Sequence, residues 1–313
     1  MTDQRPGASA PRFGRPRDWV IGGALLAAVI LGVAMTVGWG PLLAPWLDLT
    51  LAELGALLAL SALSYLLRGV RVYDWFRPRF AGRFATVLRL SVLHNTANNL
   101  LPMRAGEMVF PWLMRRYFGH GFLDATATLV WIRLLDLHFL ALIGIAILYL
   151  REPSLAWPLA GLLWLALLPL MGVLRRWGPQ GEGGRLRRWV RLVVEATPAS
   201  AALVARVYGW TALIWMSKFL AFAALLRHFL PIELWQVLIG VMGAELSSVL
   251  PFHGIAGSGS YELAMVAALV PLGVSAEAAF AGAVNLHLFL LGVTVLLGLS
   301  ALLLPVRRAE RSA

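Results

Sequence analysis

Apolar residues run in blocks of about twenty along most of the chain, with charged and breaker residues gathered between them. A hydrocarbon core about 30 Å thick needs about 20 apolar residues per crossing helix. The blocks therefore predict about six full spans: Trp19–Trp39, Leu49–Leu67, Phe122–Leu150, Leu155–Leu174, Tyr208–Leu230 and Ser275–Leu304. The first follows Arg5, Arg12, Arg15 and Arg17 as a signal peptide would. Its apolar core of about 18 residues exceeds the signal-peptide range of about 7–15, so it is read as a retained anchor.

Two further stretches are split by proline, glycine and polar residues. In the first, Thr86–Leu101 leads through Asn95, Asn98, Asn99, Pro102, Arg104, Gly106 and Glu107 into an apolar arm ending at Arg115 and Arg116. Arms of about 16 and 10–12 residues reach about 24 and 15–18 Å, too short to cross, which predicts a re-entrant helix pair. The second runs from Ile232 through Glu245, Ser247, Ser248, Pro251, His253, Gly257, Gly259 and Glu262 to Leu263–Leu272. Its first arm, about 19 residues, nearly spans, so for 232–250 a hairpin and a full crossing both stay open.

The order span, span, broken pair, span then occurs twice with opposite sidedness. This predicts a single all-α polytopic membrane domain over 1–313, with halves 19–150 and 155–304 related as an inverted repeat. The breaks share an order of residue types: Leu101-Pro102, Gly106, Glu107 against Leu250-Pro251, Gly259, Glu262. Interrupted segments at matching places in two halves point to a midplane transport site.

Composition agrees. Hydrophobic residues make up 59% and charged residues 14%, with mean hydropathy +0.75, far from a soluble domain. The absence of cysteine excludes thiol catalysis, Cys-bound metal and disulfides. The net charge of +11 is almost all arginine, Lys218 being the only lysine. Because the arginines cluster where apolar blocks end, they read as positive-inside signals with both termini cytoplasmic, and no module for nucleic acid is expected. The basic, aromatic stretch Arg68 to Arg89 fits an interfacial helix or a solvated loop.

Backbone freed by each break must be covered by protein or line a wet cavity. Pro102 is suited to open a helix whose positive end, with Arg104 beside it, would hold a phosphate. Glu107 and Glu262 stand in the first turn after each break, either as helix N-terminal stabilisers or as site groups kept for a task. Arg133 and Asp136, three apart on one helix, read first as a self-neutralising pair and second as substrate contacts. Asn98 and Asn99 fit hairpin bridging or headgroup contact, and Asn95 a structural role. Glu245 and His253 flank the second break and are further candidates. Lys218 and Arg227 are expected to snorkel. The six histidines are scattered, so neither a metal site nor a cofactor is expected. With no nucleotide loop and no nucleophile elbow, enzyme activity is not expected either.

These residues resemble a family of flippase-like regions named for the membrane part of bacterial lysylphosphatidylglycerol synthase. The resemblance rests on Asn98-Asn99-Leu-Leu-Pro102-Met-Arg104-Ala-Gly106-Glu107 and on Leu250-Pro251 with Gly257, Gly259 and Glu262. The family pattern at the second break is Gly-Gly-x-Gly-x-x-Glu. Here Ala256-Gly257-Ser-Gly259-Ser-Tyr-Glu262 keeps two glycines and the glutamate, and lacks an arginine just before Glu262. The resemblance implies translocation of an anionic or aminoacylated phospholipid across the bacterial cytoplasmic membrane, with Arg104, Glu107 and Glu262 in the site. A polyprenyl-phosphate lipid is the alternative cargo. A non-transporting partner of a glycosyltransferase or lipid-synthesis enzyme, and an intramembrane transferase, are the alternative functions. The chain shows no stretch for an aminoacyl-transfer domain, so aminoacylation is not expected of it.

Overall fold

The computed structural model describes residues 15–170, 184–198, 200–247 and 254–306. Among them the regular structure is helical: α1 (Pro16–Gly32), α2 (Leu51–Trp75), α3 (Phe84–Leu100), α4 (Val109–Phe118), α5 (Phe122–Arg151), α6 (Ala156–Leu165), α7 (Arg185–Glu195), α8 (Ala201–Phe229), α9 (Leu234–Ser247), α10 (Ser260–Leu269) and α11 (Ala276–Leu302), with short helical turns between several of them. Among the described residues six stretches are long and apolar enough to cross a membrane: Pro16–Val37, Leu51–Trp75, Phe122–Arg151, Ala201–Phe229, Ile255–Leu272 and Ala276–Leu302. The protein is a multi-pass membrane protein.

Helix starts follow local chemistry. Thr50 accepts from the Glu53 amide at 3.2 Å while Glu53 accepts from the Thr50 amide at 2.9 Å, a reciprocal cap that opens α2. Ser200 and Ser275 cap α8 and α11, each at 3.2 Å. In the fourth expected span, 155–174, the α-helix ends at Leu165 and tightens into turns around Pro169, which lacks an amide and crowds the preceding turn. The α-helix there is ten residues, and 171–174 lie outside the described residues.

The second span is longer than expected. α2 continues past Leu67 to Trp75, carrying Arg68 and Arg71 into the bundle, both buried. Neither an interfacial helix nor a solvated loop describes those two turns. Ser61, Ser64, Arg68 and Arg71 recur at helical spacing and form a polar stripe, which in lipid must face the interior.

The broken pairs are short. α3 and α4 have 17 and 10 residues, α9 and α10 have 14 and 10, so each helix reaches about 15–26 Å at 1.5 Å per residue. The arm expected over 232–250 thus has a described helix well short of a crossing, and 248–253 lie outside the described residues. Ile255–Leu272 passes the length criterion only as a composite. Ala256, Gly257 and Gly259 have positive φ before the helix proper begins at Ser260.

The pairs start from opposite ends of the bundle. α2 and α8 run antiparallel: Asp74 pairs with Arg206 at one end, and Trp46, just before α2, meets Phe229 at the other. α3 begins where α11 finishes, Arg89 donating to the Leu304 carbonyl at 2.6 Å, and its tip reaches Thr294 through Asn99 at 2.9 Å. α9 instead starts beside the end of α8. Packing partners exchange when α2, α3, α4 and α5 are swapped for α8, α9, α10 and α11: α3 packs on α11 as α9 packs on α5, and α4 on α5 as α10 on α11.

The two breaks touch, and α1 crosses where they meet. A Cβ on Gly22 would lie 2.9 Å from the Ile255 amide nitrogen and 3.1 Å from Pro102 Cβ, so only glycine fits between both breaks.

Candidate functional site

Leu101 is extended ahead of Pro102, as a residue before proline prefers, and ends α3. A regular helix does not open at Pro102, contrary to expectation. Residues 102–108 form a tight turn in which Met103 and Arg104 have φ of 52° and 56°, and α4 starts only at Val109. The turn folds so far back that a Cβ on Gly106 would overlap the backbone of Asn98. The helix N-terminus expected to assist Arg104 is therefore not beside it, and Glu107 lies ahead of α4 rather than within its first turn.

Glu107 instead gathers side chains. Its Oε1 accepts from Asn98 Nδ2 at 3.0 Å, Arg104 at 2.9 Å and two nitrogens of Arg133 at 3.0 and 2.8 Å. Its Oε2 lies 3.5 Å from His94 Nε2. Arg133 stands about 17 Å along α5 from Phe122, so this cluster sits near mid-length of a spanning helix.

Asp136, one turn on, is buried. It accepts from Arg71 at 2.6 Å and from the Trp215 indole at 3.0 Å, with Arg133 farther at 3.5 Å. The expected self-neutralising pair on α5 is thus a minor contact, because both members found shorter partners across the bundle. Lys218 does not snorkel: it stands about 17 Å from the end of α8 and pairs with Glu245 at 2.6 Å, its side chain 16% exposed.

All of these groups except His94 and Arg71 line one cavity of about 440 Å³ in the middle of the bundle. Of the residues singled out from sequence, Asn98, Asn99, Arg104, Glu107, Arg133, Asp136 and Glu245 line it. Asn99 also ties the tip of α3 to the Tyr65 hydroxyl at 3.1 Å and to Thr294, so it braces as well as lines. Leu134 and Leu137 add an apolar wall, 46% and 45% exposed.

Glu262 stands apart from that lining. It is the third residue of α10, and its Oε2 accepts from the Gly259 amide at 2.8 Å, the helix-stabilising role foreseen for it. Its Oε1 meets His287 Nδ1 at 2.6 Å, and His287 Nε2 meets the Ala256 carbonyl at 2.7 Å. Gly257 and Gly259 shape that turn rather than the cavity. Pro251 and His253 lie outside the described residues. The histidines are less isolated than their spacing suggested, since His94 and His287 each meet a carboxylate only through tertiary packing.

Sequence reasoning missed Arg68, Arg71, Trp215 and His287. For the first two a signal existed in the polar stripe on α2. Nothing in the apolar runs around Trp215 and His287 marks them.

Residues 19–298 match the family model described as the lysylphosphatidylglycerol synthase TM region. No curated protein matches the chain in sequence.

Proposed function

The chain belongs to the lysylphosphatidylglycerol synthase transmembrane-region family, which points to a role with membrane lipids, and from that premise we propose that it translocates a lipid with a phosphate headgroup. It is read as a transporter and not as an enzyme. The observation that carries this reading is the mid-bundle cavity, where cations and carboxylates from four helices and the first break converge at the depth where a charge is most costly in lipid. Such groups are retained for a polar cargo or for water.

The halves 19–150 and 155–304 act as an inverted repeat whose broken pairs are re-entrant, one from each face. The headgroup enters the cavity, Arg104 and Arg133 share it with Glu107, and the acyl chains stay in lipid beside the apolar wall of Leu134 and Leu137. The cargo is an anionic or aminoacylated phospholipid, or a polyprenyl phosphate.

Charge supports the orientation. The end of the bundle where α3 begins carries Arg77, Arg83, Arg89, Arg115, Arg116, Arg187, Arg188 and Arg191, against Arg151 and Arg227 at the other end. By the positive-inside rule the arginine-rich end faces the cytoplasm of a bacterium, and both termini with it.

Proteoliposomes holding a fluorescent phosphatidylglycerol test the reading through dithionite quenching of each leaflet. Wild type should expose inner-leaflet lipid, and Arg104→Ala or Glu107→Gln should slow it at least tenfold. Equal rates in wild type and both variants defeat the mechanism. Failure of wild type to move any lipid, with a soluble glycosyltransferase or lipid-synthesis enzyme co-purifying, would favour a recruiting role instead.

A further inference from the structure

Charge in and around the cavity is unevenly matched. Arg71 is held by Asp136, Arg104 and Arg133 by Glu107, and Lys218 by Glu245. Arg68 is 9% exposed and lines the cavity, yet among the described residues it has neither a hydrogen bond nor an ion pair. Its guanidinium lies 5.5 Å from the centre of the Trp215 ring, and that indole spends its N–H on Asp136. Two turns earlier on the same face of α2, Ser61 Oγ is buried and also without a hydrogen-bond partner among the described residues.

Four cations and three carboxylates line the cavity, Arg71 bonds Asp136 from outside the lining, and Arg68 is the cation with no carboxylate of its own. A guanidinium removed from water persists only where another group compensates it. The nearby Asp136 charge, itself bonded to Arg71, and the aromatic face supply part of that compensation and leave the planar fork of N–H donors unused.

We propose that Arg68 is a phosphate ligand, and that the uncompensated charge around it selects a headgroup of net negative charge, a phosphodiester or phosphomonoester, over one bearing added amines. The proposal rests on the translocation reading and deepens it by choosing among its cargoes. A guanidinium pairs two N–H donors with two phosphate oxygens, geometry that Lys218, already 2.6 Å from Glu245, does not offer. An aminoacylated headgroup brings ammonium groups into a cavity already rich in cations, where low dielectric magnifies the repulsion.

Equilibrium binding to the purified full chain in detergent tests this with three probes: short-chain phosphatidylglycerol, its lysyl ester, and soluble glycerol 1-phosphate. Wild type should bind the phosphatidylglycerol at least tenfold more tightly than the lysyl ester. Arg68→Gln should weaken the phosphatidylglycerol at least tenfold and erase the preference, while Arg68→Lys should recover part of both. Unchanged affinity or an intact preference in Arg68→Gln overturns the proposal. If the glutamine variant does not accumulate, Arg68→Lys serves alone: the lost fork should cost three- to tenfold, and no loss refutes the assignment.

Glycerol 1-phosphate binding as tightly as the lipid, with the same dependence on Arg68, would reassign the site to a soluble phosphate ester. Translocation assays on the same preparations separate the two readings. Lipid movement with binding indifferent to Arg68 overturns this inference alone. Binding that depends on Arg68 without lipid movement overturns translocation alone.

Discussion

Glu107 and Glu262 occupy matching places. Glu107 closes the first break and Glu262 stands in the first turn after the second, and each meets a basic residue about 17 Å into the next long helix, Arg133 on α5 and His287 on α11. The surroundings then diverge. Glu107 faces the cavity and shares one oxygen among Asn98, Arg104 and Arg133. Glu262 is closed in, its two oxygens spent on His287 and the Gly259 amide, with the Tyr261 ring stacked on His287 at 4.4 Å between centroids. The difference follows from the partner. Arginine presents five N–H donors, so Arg133 can hold a glutamate and still address an incoming anion, whereas both ring nitrogens of His287 are already engaged. One break is built as a working surface and the other as a clasp.

The largest effect expected from this contrast is at Glu107. Glu107→Ala takes from Arg104 and Arg133 their nearest carboxylate, and because the groups are only partly buried the cost is about 2–4 kcal/mol, below that of a fully buried pair. Thermal unfolding in detergent should show it plainly, and a wild-type unfolding temperature would mean the cluster is already well hydrated. Gly106→Ala comes next, because the new methyl meets the backbone of Asn98 rather than a movable side chain. Overpacking of that kind costs about 1–3 kcal/mol. Gly257→Ala in the clasp would meet only the His287 ring, at 3.4 Å, so its penalty is the left-handed backbone alone, about 1–2 kcal/mol. If Gly257→Ala lowers the unfolding temperature more than Gly106→Ala, the tighter turn has been assigned to the wrong break.

Glu262→Gln tests function against stability. It should cost about 1–3 kcal/mol through imperfectly satisfied partners. Per folded molecule, however, it should move lipid within about threefold of wild type, since it touches no cavity-lining group. Glu107→Gln should lose at least tenfold in the same assay. Equal losses in both would erase the division of labour.

Five of the six expected spans, 155–174 being the exception, and the place of both breaks were legible because lipid enforces them. An apolar run of about 20 residues and a proline beside polar residues have few other meanings at that depth. Arm lengths at the first break matched within about two residues for the same reason. What the sequence concealed was pairing. Arg133 and Asp136 looked like partners because helical spacing is local, yet Asp136 was taken by Arg71, 65 residues earlier. Arg68 reads as the start of an interfacial helix or a solvated loop because the apolar block stops at Leu67, and only the stripe from Ser61 through Arg71 hints that the helix, and the burial, continue. The shared order of Leu-Pro, Gly and Glu located two equivalent turns. It could not reveal that one turn faces the cavity and the other is sealed, because that depends on Arg133 and His287 in helices remote from the motif.

The smallest effect is also the one with the opposite sign. Ala256 stands where the family pattern has glycine, and its φ of 57° is left-handed, a conformation that costs a residue with a Cβ about 1–2 kcal/mol. Its carbonyl is also the acceptor for His287 Nε2 at 2.7 Å, so the clasp holds the backbone there. Ala256→Gly removes the steric penalty and keeps that carbonyl in place. It also enlarges the freedom of the unfolded chain, which takes back about 0.4–1 kcal/mol. The net gain should be about 0.5–1 kcal/mol, read as a small rise in unfolding temperature with translocation unchanged. Met103 and Arg104 are left-handed in the first break, and Arg104 gives its side chain to the cavity. Met103→Gly should therefore slow translocation as it relaxes the turn that aims Arg104, while Ala256→Gly should not. A slowing by Ala256→Gly as large as that by Met103→Gly would mean that the second turn, too, must be held rigid for transport.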